Sequence, residues 1–228
     1  MNKSVILICF VTILASCNEI KKSSEDMSSK ENISTIELST AEKIAHTNGF
    51  ENWEKVSEIN FTFNVDRGES HFERSWSWKP KTDDVQMSMG EQVVTYNRMK
   101  MDSVVMKTDA AFINDKFWLL APFNLLWDEG TTVTETQNVP APISNKILNK
   151  LTLVYGTEGG YTPGDAYDFY YGRDFMVKEW TFRRANDSLP TMTTTWEGYE
   201  KFNGLQIAKT HKDSLGGLNL YFTNISVK

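Results

Sequence analysis

Disulfide chemistry has almost nothing to work with in this chain. Its 228 residues include two cysteines, Cys9 and Cys17, both near the N-terminus, so no framework of bridges can hold the body of the protein together. Histidine is almost as scarce. His46, His71 and His211 are the three present, and their scatter gives no metal-ligand spacing. Positive charge is in deficit, with a formal net charge of -6, which argues against a nucleic-acid partner. No phosphate loop, dinucleotide fingerprint or nucleophile elbow occurs, so no cofactor and no catalytic residue is expected. No repeat of solenoid or propeller length is visible. Beyond the first residues the longest apolar stretch, Ala110 to Trp127, is too short and too interrupted to cross a bilayer, because Pro122 breaks it.

The N-terminus carries an address instead. Met1-Asn2-Lys3 is a short positive start, Val5 to Leu14 is apolar, and Ala15 and Ser16 are small. This is the pattern of a secretory signal, too short for a membrane span. Leu14-Ala15-Ser16-Cys17 resembles the lipobox of bacterial lipoproteins. The resemblance implies cleavage before Cys17, a diacylglycerol on its thiol and an acyl group on its amine, hence a membrane partner held through the anchor. Residues 1–16 then read as signal peptide, 17–38 as lipidated cysteine and polar, disordered tether, and 39–228 as a single domain. In such lipoproteins an aspartate after the cysteine often retains the protein at the inner membrane. Asn18 here favours the outer membrane, with the leaflet left open.

Ser39-Thr40-Ala41-Glu42 is a capping box, and it starts a helix that runs to Thr47 and stops at Asn48-Gly49. His46 reads as a cap or surface residue. From Ser57 the period becomes two. Phe61, Phe63 and Val65 share a face. Phe72, Arg74, Trp76 and Trp78 share another, opposite His71, Glu73, Ser75 and Ser77, and Val85, Met87 and Met89 form a third apolar stripe. Ala110 to Leu120 and Pro122 to Trp127 read as two short helices that plug or cover the apolar face, and a plain core helix is the simpler reading than a mobile lid. Strands then resume over 131–137, 147–155, 166–171, 176–184, 192–202, 205–211 and 218–227, nearly all joined by turns, Asn203-Gly204 among them.

The most elaborate connection is the loop between Tyr155 and Ala166. Gly159, Gly160, Pro163 and Gly164 give it a defined shape and fix a wide corner. Asp165 is expected to tie it down by accepting backbone N–H bonds, and its tyrosines to line a mouth. Asp165 with Asp168 is a weak candidate for a cation, and Glu158 with Asp165 for an acid/base pair. Loop solvation is the simpler reading of both. Arg183-Arg184 reads as a solvated outer edge.

About ten antiparallel strands with one apolar face must curl or close to hide it. The expected fold is mainly β, a strongly curved sheet or unclosed barrel with an N-terminal helix and a helical insert as plug or lid. This order of elements resembles the carriers and acceptors of bacterial lipoprotein sorting (the Lol type), unclosed barrels with an apolar hollow for acyl chains. In those carriers an arginine on the inward face of an early strand bonds the lid. Arg74 sits comparably, with Asp109, Asp115 and Asp128 as candidate partners. The segments T-P-G-D-A-Y, F-W-L-L-A-P-F and E-W-T-F-R-R also look like an uncharacterised family of secreted lipoproteins. The expected function is a non-enzymatic, monomeric binding protein for a lipid, an acyl chain or a lipidated protein. Phe72, Arg74, Trp76, Phe117, Trp118, Trp127, Tyr161 and Tyr167 line its hollow. The alternatives are an envelope interaction module with a packed core, or a hydrolase using the carboxylates near the loop.

Overall fold

Local sequence rules account for the start of the fold. In the computed structural model, which describes residues 37–158 and 160–228, helix α1 (Thr40–Thr47) opens on the Ser39–Glu42 capping box. The Ser39 hydroxyl accepts from the Glu42 N–H at 3.2 Å, and the Glu42 carboxylate accepts from the Ser39 N–H at 2.7 Å. The expected signal peptide, lipobox, Cys17 and nearly all of the tether lie outside the described residues, as does Gly159. Glu37–Lys228 form one compact unit. Helix α1 turns Ile44 and Ala45 inward and ends at Asn48. There Gly49 adopts φ +88°, and any Cβ would collide with the Gly204 carbonyl oxygen.

Thirteen strands follow: β1 (Ile59–Arg67), β2 (Ser70–Lys79), β3 (Asp84–Met89) and β4 (Gln92–Asn97); then, after helix α2 (Met106–Trp127), β5 (Thr131–Pro140), β6 (Ile147–Tyr155), β7 (Ala166–Tyr171), β8 (Val177–Arg183), β9 (Met192–Thr195), β10 (Glu200–Phe202), β11 (Leu205–Ile207), β12 (Thr210–Lys212) and β13 (Asn219–Val227). One sheet has the order β12-β13-β1-β2-β3-β4, a second β5-β6-β7-β8-β9, and β10 and β11 form a separate hairpin. All pairings are antiparallel. The two large sheets meet where β9 approaches β12. Glu197 bridges Thr210, and the Lys212 N–H donates to Thr195 Oγ1 at 3.1 Å. The result is a curved, unclosed wall whose free edges are β4 and β5.

The count exceeds the ten or so strands expected because two long expected strands are interrupted. The stretch 192–202 breaks after β9, where Gly198 takes φ +65°, and 205–211 breaks at Ala208-Lys209. These are the points at which the chain crosses between sheets, and a glycine in a strand pattern marks such a bend. Arg183 also departs from expectation. Strand β8 lies between β7 and β9, so Arg183 is not on an edge. It donates to Asp168 at 2.9 Å on the convex face.

Alternation sends Phe61 and Phe63 of β1, Trp76 and Trp78 of β2, Leu151 and Leu153 of β6 and Phe169 of β7 to the concave side. There they meet Phe112, Leu120 and Phe123 of α2, each at most 2% exposed. The interior is packed. Helix α2 begins at Met106, four residues before the expected start, and the two expected helices form one element broken at Leu120 (φ -128°, ψ 22°). Pro122 explains the break, since it has no N–H to donate and its ring crowds the Trp118 carbonyl. Before the break the helix leaves Ala110 and Asn114 exposed, whereas 118–125 are buried throughout. Residues 106–119 therefore cover the concavity and 120–127 plug it.

Gly49 and Gly68 provide an internal control for the fold. Both have positive φ, but nothing lies within 4 Å of a Cβ built on Gly68. Gly68→Ala is expected to cost about 1 kcal/mol in chemical denaturation, the left-handed strain alone. Gly49→Ala adds a clash with backbone and is expected to cost about 3 kcal/mol or more. Equal costs would mean that the α1 to β10–β11 contact does not matter.

Candidate functional site

The polar groups of the interior gather around α2. Alternation on β2 points Arg74 inward with Trp76, and there it meets Asp115. Arg74 Nε and Nη2 donate to the two Asp115 oxygens at 2.9 Å each, Trp76 Nε1 donates at 2.7 Å and Asn114 Nδ2 at 3.0 Å. Asp115 is 0% exposed. Burial raises its carboxyl above the usual range, against the pull of Arg74 and the neighbouring donors. The guanidinium also lies over the rings of Phe72 and Trp76, each with its centroid 5.3 Å away.

A second group holds the first turn of α2. Asp109, also 0% exposed, accepts from Arg98 Nε at 2.8 Å, from the Tyr96 hydroxyl at 3.0 Å and from the Tyr161 hydroxyl. Burial and the adjacent Asp109 charge push the Tyr96 phenol well above its ordinary range, so it stays a donor. Tyr161 comes from the glycine-rich loop. That loop is closed by Gly164 N–H to the Gly156 carbonyl at 2.8 Å and Tyr155 N–H to the Asp165 carbonyl at 2.9 Å. Asp165 Oδ1 accepts from the Ala185 N–H at 2.8 Å. The loop thus acts as a clasp over the start of α2.

At the other end Asp128 accepts from Asn124 Nδ2 at 2.9 Å and from the Tyr155 hydroxyl. Between the two ends sits Lys116. Burial lowers its ammonium to about 8, with Asp128 pulling it upward. Its Nζ lies 5.2 Å from the Trp127 ring and 5.8 Å from the Trp78 ring. Among the described residues no hydrogen bond or ion pair reaches it.

The residues expected to line a hollow are brought together, but as packing partners. Trp76, Trp118 and Tyr167 are buried. Phe117 packs on Tyr167 with ring centroids 4.8 Å apart, Trp118 on Trp180 at 4.5 Å, and Trp127 on Trp53 at 4.7 Å. Only the rims are open. Tyr161 is 48% exposed at one end of the helix, and Phe72 and Met89, each 39% exposed, continue the inward face past Arg74. Asp168 does not join Asp165 in a cation site. It accepts from Thr152 Oγ1 at 2.5 Å and from Arg183 on the convex face, and among the described residues no group of three or more possible ligands could hold a metal. An open groove of about 300 Å³ on the convex side is lined by Asn60, Thr62, Ser75, Ser77, Gln86, Ser88 and Asn224.

No family model matches the chain, and no curated protein matches it. Among solved structures it is similar to a DUF1329 family protein from Desulfovibrio piger, with a TM-score of 0.44 at 9% identity, over 83% of this chain and 92% of that one. At that distance the likeness says nothing about activity, and the site has to be read from its own geometry.

Sequence reasoning did not single out Arg98, Lys116 or His211. Arg98 follows Tyr96 at the end of β4, and its signal was only an arginine beside an apolar strand. His211 had no signal at all. It is 0% exposed, with Trp196 at 4.0 Å and Trp118 at 5.3 Å between ring centroids, and neither ring nitrogen has a hydrogen-bond partner. Burial lowers its pKa to about 3.

Two measurements check this chemistry. Arg74→Met strands Asp115, and urea denaturation is expected to show a loss of about 3 kcal/mol. Arg74→Met with Asp115→Leu should lose clearly less than the sum of the two single variants, whereas strict additivity would mean that the pair is uncoupled. For His211, the folded value lies below the unfolded one, so the unfolded chain binds more protons between about pH 6.5 and 3. Its contribution to stability is complete above pH 6.5 and is lost as pH falls, by up to about 1.4 kcal/mol per unit. His211→Phe should flatten the acid side of the stability profile, and an unchanged slope contradicts the assignment.

Proposed function

We propose that the protein is a non-enzymatic lipoprotein of the bacterial cell envelope, anchored through Cys17 at the outer membrane that Asn18 favours, that binds an acyl chain or similar apolar ligand between α2 and the concave sheet. The observation that carries this reading is the way residues 106–119 are held. A helix meant only to fill a core is best fixed by apolar contacts, since replacing a buried ion pair by well-packed apolar groups is often neutral or stabilising. Here the covering half of α2 instead presents Asp109 and Asp115 to Arg98, Tyr96, Tyr161 and Arg74. Such contacts specify one closed position and can be exchanged for solvent when the helix lifts about the Leu120 break. Lifting it would uncover Phe112 and the facing tryptophans.

Two further features support the reading. The indole N–H groups of Trp78 and Trp180 are buried without acceptors, and each such orphan costs about 1–3 kcal/mol. An ester or carboxyl oxygen on a ligand would satisfy them. The open rim at Phe72 and Met89 gives an entry next to the Arg74–Asp115 pair. The carboxylates of the hydrolase alternative are engaged elsewhere, Asp165 by the Ala185 N–H and Asp168 by Arg183. A packed interaction module without ligand is the second reading, and it is favoured by the filled interior.

A fluorescent fatty acid separates the two. The ligand-binding reading expects saturable binding of one probe per protein. It also expects about tenfold tighter binding by Tyr161→Phe, because a hydrogen bond to a charged group that exists only in the closed state is removed. No binding by either protein, together with no lipid retained after mild extraction, would favour the module.

A further inference from the structure

The short segment that leads from β4 into α2 has the wrong surface for water. Met99 is 77% exposed, Met101 37%, Val104 80% and Met106 59%. No other eight-residue stretch of the described chain exposes so many large apolar side chains. These side chains are held out by a defined backbone. Asn97 Oδ1 accepts from the Met99 N–H at 3.0 Å, and Asp102 Oδ1 accepts from the N–H groups of Val104 and Val105 at 2.9 and 3.2 Å. Val105 packs against the core, so its neighbours cannot also turn inward. Arg98, Lys100 and Lys107 flank them, with Asp102 the only acidic residue in 98–107 of a chain whose net charge is -6. Arg98 is spent on Asp109; no ion pair is found for Lys100 or Lys107 among the described residues.

We propose that Met99–Met106 is a membrane-docking loop that inserts into the surface of an anionic bilayer. Flexible methionines and a valine suit the boundary between headgroups and acyl chains, and the two lysines suit anionic headgroups. This rests on the acyl-anchor reading of Cys17, which keeps the domain beside a bilayer. The 20 residues from Asn18 to Glu37 reach at most about 70 Å, while a domain of this size is only about 40 Å across. The tether therefore allows this loop to face the bilayer wherever on the domain it starts. The loop runs directly into the covering half of α2, so insertion would act on the same helix that closes the concavity.

The test places an environment-sensitive fluorophore on Val104→Cys or, as a water-facing comparison, on Leu215→Cys, which is 91% exposed elsewhere. Any dye on Cys17 is common to both proteins and cancels in the difference. In excess vesicles of phosphatidylethanolamine and phosphatidylglycerol, the Val104 probe should shift to the blue and become quenchable from within the lipid, while the Leu215 probe should not. Lys100→Gln with Lys107→Gln should lower the inserted-to-free ratio roughly thirtyfold, about fivefold for each cation removed. A Val104 probe that behaves like the Leu215 probe overturns the loop, whatever holds the protein to the membrane. Flotation of Met99→Asp with Val104→Asp reads the anchor separately. If that variant floats, the acyl group suffices; if it no longer floats, the loop is what bound the membrane and the anchor reading falls.

Discussion

A carboxylate with no exposure to water is the constraint from which much of this structure follows. Asp115 sits on the buried side of α2 among aromatic side chains, and an unpaired charge there would cost several kcal/mol. It therefore needs Arg74, Trp76 and Asn114 in fixed places. That requirement sets the rotation of α2 about its own axis and its register along β2. Once these are set, Asp109 falls beside Arg98 and Tyr96, Phe112 falls between Trp76 and Trp78, and Trp118 falls against Trp180 and Trp196. The polar contacts choose among helix positions that apolar packing alone would leave close in energy.

The helix itself has two characters. Beyond Leu120 it is surrounded, with Phe123 and Trp127 packed against Phe50 and Trp53, and nothing there is readily exchanged for water. Before Leu120 one side faces solvent, and the other carries, beside the packed Phe112 and Trp118, polar contacts that water can replace. The glycine-rich loop belongs to this second half. Its corner shape brings Tyr161 onto Asp109 and so links the middle of the five-stranded sheet to the start of the helix.

Much of the fold was legible in the sequence because its signals were local. The capping box at Ser39 and the alternation from Phe61 to Met89 each depend on residues a few positions apart. Pro122 announced a break in the helix, although not that one element would continue across it. What was not legible depended on contacts between distant segments. The two breaks near Gly198 and Ala208 arise because the chain passes from one sheet to the other, which no short pattern states. Arg74 could be placed on the inward face by parity, but three aspartates were equal candidates for it until the helix rotation was known. Arg98 and His211 gave no pattern because their partners lie in distant segments, Asp109 on α2 for the first and Trp118, Trp196 and Phe222 for the second. Whether the concavity was hollow or filled depended on how deeply 118–125 enter it, and composition is the same either way.

On this account the two halves of α2 differ in how easily they leave the sheet. Native-state hydrogen exchange resolved by residue tests it most directly. The amides of Ala110 to Leu119 should exchange through an opening at least about 2 kcal/mol less costly than global unfolding. Those of Phe123 to Trp127, and of Leu151 and Phe169 in the wall, should exchange only with the whole domain. If Ala110 to Leu119 are protected to the same free energy as Leu151 and Phe169, α2 is an ordinary core helix and the lid does not exist.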